Sequence, residues 1–305
     1  MKITLGENFR AIFYAPFYAL KVLDLARREG VEIEWLPPGA PGGAIDDVKR
    51  GTVDLTWGGP MRVMQDLDGM PAGGASLLCF GEVVARDPFC LVGTPDPAGF
   101  ELGALARLRL GIVSEVPTPW LCLQADLRDA GIDPTVMRAS GRVRTDLTMA
   151  QQLQALGSGD LDVAQCFEPH VSQALADGTG RLLYAASGRG PVVYTTFICS
   201  RDGLAHRREA FGGVKRALHA LQDWMAAHGA GELARLTAPF FPAVPRPIFN
   251  ASVERYFAAG VWARRPDVSS AGFDRLAHSL RTGGFIASPA SYAACVHRFD
   301  AHDRD

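Results

Sequence analysis

The chain repeats one phrase, and the repetition limits the folds open to it. Gly51-Thr-Val-Asp-Leu-Thr-Trp-Gly-Gly-Pro60 is echoed a hundred-odd residues later by Gly159-Asp-Leu-Asp-Val-Ala-Gln-Cys-Phe-Glu-Pro169. Each copy follows a helical stretch, at Gly43–Arg50 and Asp146–Leu156. Each runs glycine, aspartate, short apolar strand, and ends on an aromatic and a proline. Glycine strips away the side chain and proline removes a backbone donor, so such a strand stops abruptly at an edge. Two such edges, one per half of the chain, predict two similar lobes facing each other across a cleft.

The order of elements agrees. Strand Ile3–Leu5 leads to a helix from about Pro16 to Arg27–Arg28, which Gly30 stops. Strand Val31–Leu36, loop Pro37–Gly43, helix Ala44–Arg50 and strand Val53–Trp57 complete a β-α-β-α-β unit. This alternation signals a sheet covered by helices on both faces. Helix Met61–Leu67 and strands Leu77–Val84 and Phe89–Val92 follow. Thr94-Pro-Asp-Pro-Ala-Gly99 then breaks the rhythm as a first crossing between lobes. The rhythm resumes with strand Leu108–Val113, loop Ser114–Pro119, helix Trp120–Ala130, strand Val136–Arg138, helix Asp146–Leu156, strand Leu161–Cys166, helix His170–Ala176 and strand Leu182–Ala185. The β-rich run Val192–Ser200 makes a second crossing. Helices at Ala205–His228, Gly231–Leu236, Asn250–Ala259, Gly272–Thr282 and Pro289–Phe299 close the chain. Two crossings imply a discontinuous first lobe (1–93 and 197–305) and a second lobe at 94–196.

Composition narrows the function. The 305 residues are 48% hydrophobic and 21% charged with a net charge of −2, and the basic residues are scattered. That argues against a nucleic acid or an anionic membrane as partner. No apolar run reaches the 18–20 residues of a membrane span. The six cysteines are widely spaced with no C-x-x-C pair, as expected of buried free thiols in a reducing compartment. The opening Met1-Lys-Ile-Thr-Leu5 already reads as a strand, so the expectation is either that a signal was removed from this chain or that the protein is never exported.

Ligand sites in such sheets lie beyond the carboxyl ends of strands and between lobes. Trp57, with Gly58 and Gly59, stands at one strand end. The turn after strand one supplies Asn8, Phe9, Arg10 and Tyr14, and the corresponding lobe-two loop supplies Ser114, Glu115, Thr118 and Trp120. Phe9, Phe13, Tyr14, Trp57 and Trp120 are candidate walls for a flat ligand. The loop hydroxyls and helix-start amides suit an anion or a carbonyl oxygen. Thr118 and Pro119 equally fit an ordinary helix start, as N-cap and first helical residue. Glu168 is a candidate acceptor for ligand N–H groups or a surface carboxylate, and Tyr194 lies on the second crossing. Cys166 and His170, four apart, have the composition of a nucleophile and its base, but the intervening Glu-Pro breaks the register that would join them. No metal-ligand spacing, P-loop or G-x-G-x-x-G occurs, so neither a metal nor a cofactor is expected.

The phrases Tyr14-Ala-Pro-Phe-Tyr-Ala-Leu20, the Pro-Pro-Gly loop at 37–39, Gly51-Thr-Val-Asp-Leu55, Phe89-Cys-Leu-Val-Gly93, Leu110-Gly-Ile-Val-Ser114, Gly159-Asp-Leu-Asp-Val163 and Phe167-Glu-Pro-His170 resemble the solute-binding proteins of ABC importers for nitrate, taurine, alkanesulfonates and thiamine-precursor pyrimidines. The likeness covers residues 3–200 well and the helical tail in pattern. It implies a two-lobed type 2 periplasmic-binding-protein fold with two mainly parallel sheets, a monomer that closes on a small molecule, and a transporter permease as partner. The resemblance is weak for ligand; the residues themselves lead us to expect a small aromatic or N-heterocyclic compound stacked on Trp57 or Tyr14, its polar edge met by Glu168, Ser114 and Thr118. The alternative is a sulfonate or carboxylate held by Arg10 and the 114–118 amides. The resemblance implies a periplasmic location, whereas the N-terminus and the thiols imply the cytoplasm. The superfamily's hydroxymethylpyrimidine phosphate synthases require a lysine for pyridoxal phosphate, a nearby histidine and a cysteine-rich iron motif. Trp57-Gly-Gly-Pro-Met-Arg62 offers none of these. Its desulfinases use a cysteine in the turn after strand one, which has none here. A binder is therefore expected, not an enzyme.

Overall fold

The computed structural model describes residues 1–39, 42–70 and 76–299. Ala40 and Pro41 of the expected 37–43 loop, and the tail from residue 300 with His302, lie outside the described residues.

Among the described residues, ten strands form two five-stranded sheets. Strands β1 Lys2–Gly6, β2 Glu32–Leu36, β3 Leu55–Gly58 and β4 Leu77–Val84 belong to sheet one; β5 Cys90–Gly93, β6 Leu110–Gly111, β7 Val143–Arg144, β8 Val163–Cys166 and β9 Arg181–Ala185 to sheet two; β10 Thr195–Ser200 returns to sheet one. The orders are β2-β1-β3-β10-β4 and β7-β6-β8-β5-β9. The helices are α1 Ala15–Val22, α2 Leu25–Arg28, α3 Gly43–Arg50, α4 Met61–Asp68, α5 Thr118–Asp129, α6 Pro134–Ala139, α7 Met149–Ser158, α8 His170–Ala176, α9 Arg201–Thr237, α10 Arg246–Ala258, α11 Ser270–Thr282 and α12 Tyr292–Cys295.

The internal echo has a physical basis. Gly51 ends α3 at φ +71° and Gly159 ends α7 at φ +79°, a backbone region that costs glycine little. Three residues on, Asp54 Oδ2 accepts from the Thr4 amide at 2.8 Å and Asp162 Oδ2 from the Arg109 amide at 2.7 Å. Each aspartate thus pins its strand to the parallel neighbour beside it, β3 to β1 and β8 to β6.

Each sheet also takes one antiparallel strand, β10 in sheet one and β5 in sheet two. These are the strands flanking the crossings, which reach their sheets without a helical crossover and so run against their neighbours. The first crossing therefore falls earlier than residues 94–99. The chain passes between sheets at residues 85–89, and residues 90–93, expected in the first lobe, are hydrogen-bonded between β8 and β9. The apolar run is the same either way; pairing decides its sheet. The two crossing segments pair with each other: Val192 donates to the Ala85 carbonyl, Ala186 to that of Phe89 and Tyr194 to that of Val84.

The segment expected as a strand at Val136–Arg138 is helical, as α6. Asp133 caps it by accepting from the Thr135 amide at 2.8 Å, with Pro134 at the first helical position, a start signal stronger than the three-residue apolar pattern. The helix expected from Pro16 to Arg28 is broken at Asp24, the one non-glycine residue with positive φ among the described residues. Helix α9 runs through to Thr237 with a break at Gly229, φ +74°.

Candidate functional site

A cavity lies between the sheets, beyond the carboxyl ends of the sheet-one strands. The turn after β1 contributes Asn8, Phe9, Phe13 and Tyr14; the end of β3 and start of α4 contribute Gly58, Gly59, Met61 and Arg62. The crossings give Phe89 and Tyr194, and the loop after β6 gives Val116, Pro117 and Thr118. Five aromatic rings thus face one space from both crossings and lobe one. Phe13 and Tyr14 meet edge to face at 4.4 Å, and Phe89 lies 5.9 Å from Tyr194.

Polar groups are few, and each is placed. Asn8 Oδ1 accepts from the Gly42 amide at 2.9 Å, which fixes the side-chain oxygen and leaves the amide N–H₂ as a donor in the wall. A Cβ on Gly58 would meet that nitrogen at 3.4 Å, an ordinary contact, and one on Gly59 would meet the Met61 side chain at 3.3 Å. The Tyr194 hydroxyl is buried and has no hydrogen-bond partner among the described residues. Burial raises the pKa of Tyr14 and Tyr194, so both stay protonated as donors near neutrality. Arg62, on the first turn of α4, is the one charged residue in the wall, and its guanidinium packs beside Gly42. Among the described residues it makes neither an ion pair nor a hydrogen bond. The space left free is about 60 Å³, near two waters' share of liquid volume. A compound of ten or more heavy atoms enters only if the lobes part.

Of the residues singled out from sequence, Asn8, Phe9, Phe13, Tyr14, Gly58, Gly59, Thr118 and Tyr194 stand in this wall; six others stand elsewhere. Trp57 is fully buried in the lobe-one core, stacked on Phe17 at 4.3 Å with 9° between planes. Its place in the strand turns the ring towards α1 and away from the cleft. Trp120 packs with Leu91, Leu123 and Leu127 under sheet two. Arg10 donates to the Phe240 carbonyl on the outer side. Ser114 is exposed, and Glu115 accepts from the Ser114 and Met149 amides, spending the loop on α7. Thr118 is the first residue of α5, not its cap, and its hydroxyl meets Met61 Sδ at 2.6 Å across the cleft.

Glu168 departs furthest from its expected role. It is fully buried and accepts from Arg255 Nε at 2.7 Å, Ser252 Oγ at 3.1 Å and the Ser172 amide at 2.8 Å. Its own amide donates to the Tyr256 hydroxyl at 2.9 Å. Helix α10 packs on α9, so this cluster joins the end of β8 in sheet two to the helical cover of sheet one. Glu168 is an interlobe latch and not a ligand contact. A second buried cluster holds the crossings: Arg189 pairs with Asp87 at 2.7 Å and with Asp126 of α5, and the Tyr184 hydroxyl donates to Asp126 at 2.9 Å.

Cys166 is fully buried with its thiol pushed up by burial, and burial pushes the His170 pKa down. An activated cysteine shows the opposite shift and some exposure. All six cysteines are buried and unpaired.

Gly42, Ile45, Met61, Arg62, Phe89, Val116 and Pro117 also line the cavity and were missed. Arg62 carried a usable signal, as the first basic residue after the strand-ending Gly58-Gly59-Pro60.

Two α/β lobes with mixed sheets, two crossing segments and an aromatic cleft between them define the two-lobed periplasmic-binding-protein fold. The resemblance seen in the sequence is borne out. Residues 97–238 match the model of the NMT1-like family. A Bacillus subtilis (strain 168) protein, YtlA, named as a candidate binding protein, is 21% identical over 97% of this chain and 88% of its own. In structure, the chain is similar to the alkanesulfonate-binding protein SsuA of Xanthomonas axonopodis pv. citri, solved with MOPS bound (TM-score 0.69, 19% identity, 98% of each chain). It is also similar to the periplasmic aliphatic sulphonate-binding protein SsuA of Escherichia coli (TM-score 0.72, 16% identity, 98% of this chain and 92% of that one). No helix among the described residues is long and apolar enough to cross a membrane.

Proposed function

We propose that the protein binds a small anionic compound with a flat apolar body, closing its lobes over it, and hands it to an ABC importer. One lobe is built on sheet one with α9–α12, the other on sheet two, and residues 85–89 and 186–194 are the hinge. The observation that carries the ligand class is Arg62: a guanidinium in the wall of an aromatic cavity, with no acidic residue beside it there. A charge so placed favours an anion, because hydrogen bonds to a charged acceptor are about twice as strong as neutral ones. Phe9, Phe13, Tyr14, Phe89 and Tyr194 supply the apolar and aromatic walls, and the Tyr194 hydroxyl and Asn8 amide the remaining donors. Both ligand chemistries expected from sequence are joined in this reading, with Arg62 taking the place given to Arg10. That a protein of the same fold was solved with MOPS bound supports a sulfonate as the first class to try. Closure would be a hinge motion shifting an open–closed equilibrium towards the ligand-bound form.

Native mass spectrometry of the protein as purified, followed by denaturation, tests this. A released anion of a few hundred daltons, absent from Arg62→Ala prepared identically, supports the reading. A released neutral or cationic compound overturns the ligand class.

A further inference from the structure

Behind the hinge lies a second cavity of about 210 Å³, separate from the cleft. Met225 of α9, Phe257 of α10 and Trp262 form its apolar body, and Gln222 and Arg264 supply its polar groups. Gln222 is 5% exposed. Its Nε2 donates to the Glu82 carbonyl at 2.9 Å, but its buried Oε1 has no partner. A buried amide oxygen left without a donor is costly, and a small turn of the Gln222 side chain, which lines the cavity, would present it to an N–H or O–H of a guest. Arg264, exposed at the wall, makes no ion pair or hydrogen bond with any described residue.

We infer that this cavity is a second binding site, for a small amphipathic acid with one aromatic ring or a branched chain. The ring packs against Met225, Phe257 and Trp262, the acid group reaches Arg264, and a polar hydrogen on the body meets Gln222. Size agrees, since a dry cavity of about 150 Å³ holds benzene. Its position gives it reach. Trp262 Nε1 donates to the Phe13 carbonyl at 2.8 Å, and Phe13 lines the cleft. The adjacent Val261 carbonyl accepts from the Ala85 amide at 2.8 Å, where the chain leaves sheet one. A guest here touches Trp262, which braces the cleft floor and is next in the chain to the residue that braces the hinge.

The probe is 4-hydroxy-3-bromobenzoate, used in crystals of the full chain and in calorimetric titration. The expected result is anomalous bromine density against Phe257 and Trp262 with the carboxylate at Arg264. In solution, Arg264→Glu should weaken the probe at least tenfold at this site, and Ala226→Phe, at the exposed cavity mouth, should do the same if the first variant folds poorly. The titrations are run in the Arg62→Ala background, which removes the cleft's anion contact and leaves binding at this site to be read. No bromine in the cavity, or an affinity unmoved by both cavity variants, overturns the inference. Bromine in the cleft alone overturns it while leaving the cleft reading standing.

Discussion

Removing Arg255 should unfasten the two lobes and destabilise the protein more than neutralising its partner does. Glu168 is fully buried, and its carboxylate is met by one cation and two neutral donors, the Ser252 hydroxyl and the Ser172 amide. Arg255→Ala takes the cation and leaves the charge, and an uncompensated buried charge costs about 3–5 kcal/mol. The Arg255 side chain is 29% exposed, so solvent screens part of the pair and the lower end, about 3 kcal/mol, applies. Glu168→Gln leaves a neutral amide that still accepts from Ser252 or Ser172, while Arg255 turns to water, so its cost should be about 1–1.5 kcal/mol. For a chain of this length 3 kcal/mol corresponds to about 5 °C in Tm. The double variant should lie closer to Glu168→Gln than to the sum of the two, because the two changes share one interaction. Calorimetry of all four proteins reads this directly. Arg255→Ala within 1 °C of the parent, or Glu168→Gln the worse of the two, would refute the latch.

Three further outcomes follow from the same physics. Burial raises the Glu82 carboxyl to about 7, with the Ser269 amide hydrogen bond opposing the shift. The folded state then holds a proton that the unfolded chain releases near 4.5, so stability falls as pH rises from there to about 7, by about 3 kcal/mol in all, and is level above. Urea unfolding from pH 4.5 to 8 should show that fall in the parent and a flatter profile in Glu82→Gln; an unchanged profile would remove Glu82 from the account. Trp57→Ala should cost about 3–5 kcal/mol of stability, as a large aromatic lost from a packed core does, while Trp57→Phe retains ligand binding; titration of Trp57→Phe showing lost affinity would restore Trp57 to the cleft. Tyr194→Phe removes a buried hydroxyl without a partner, so its Tm should hold or rise while ligand affinity drops about 3- to 10-fold in titration.

How far the sequence could be read depends on how far apart the partners lie. The echoed glycine–aspartate–strand phrase was legible because its work is local: a helix stop, then a side chain three residues on that caps the neighbouring strand. The cleft's position followed from strand ends, and the turn residues Asn8, Phe9 and Tyr14 with it. Trp57 misled because a strand end says where the backbone stops but not which face a side chain takes, and one residue reverses the face. Glu168 misled because its partner lies 87 residues away, on a helix whose sequence does not announce a buried ion pair. The crossing was misplaced because an apolar strand reads alike in either sheet. The missed α6 had its signal in plain view, Asp133 and Pro134 ahead of a short apolar run.

The measurement closest to the central claim is calorimetric titration with matched pairs of aromatic sulfonates and carboxylates against their neutral sulfonamides and amides, on the parent and on Arg62→Ala. The account predicts that the best anion binds at least tenfold tighter than its neutral twin, and that Arg62→Ala erases the difference. Equal binding of both members throughout the panel, or a preference for anions that survives in Arg62→Ala, would contradict it.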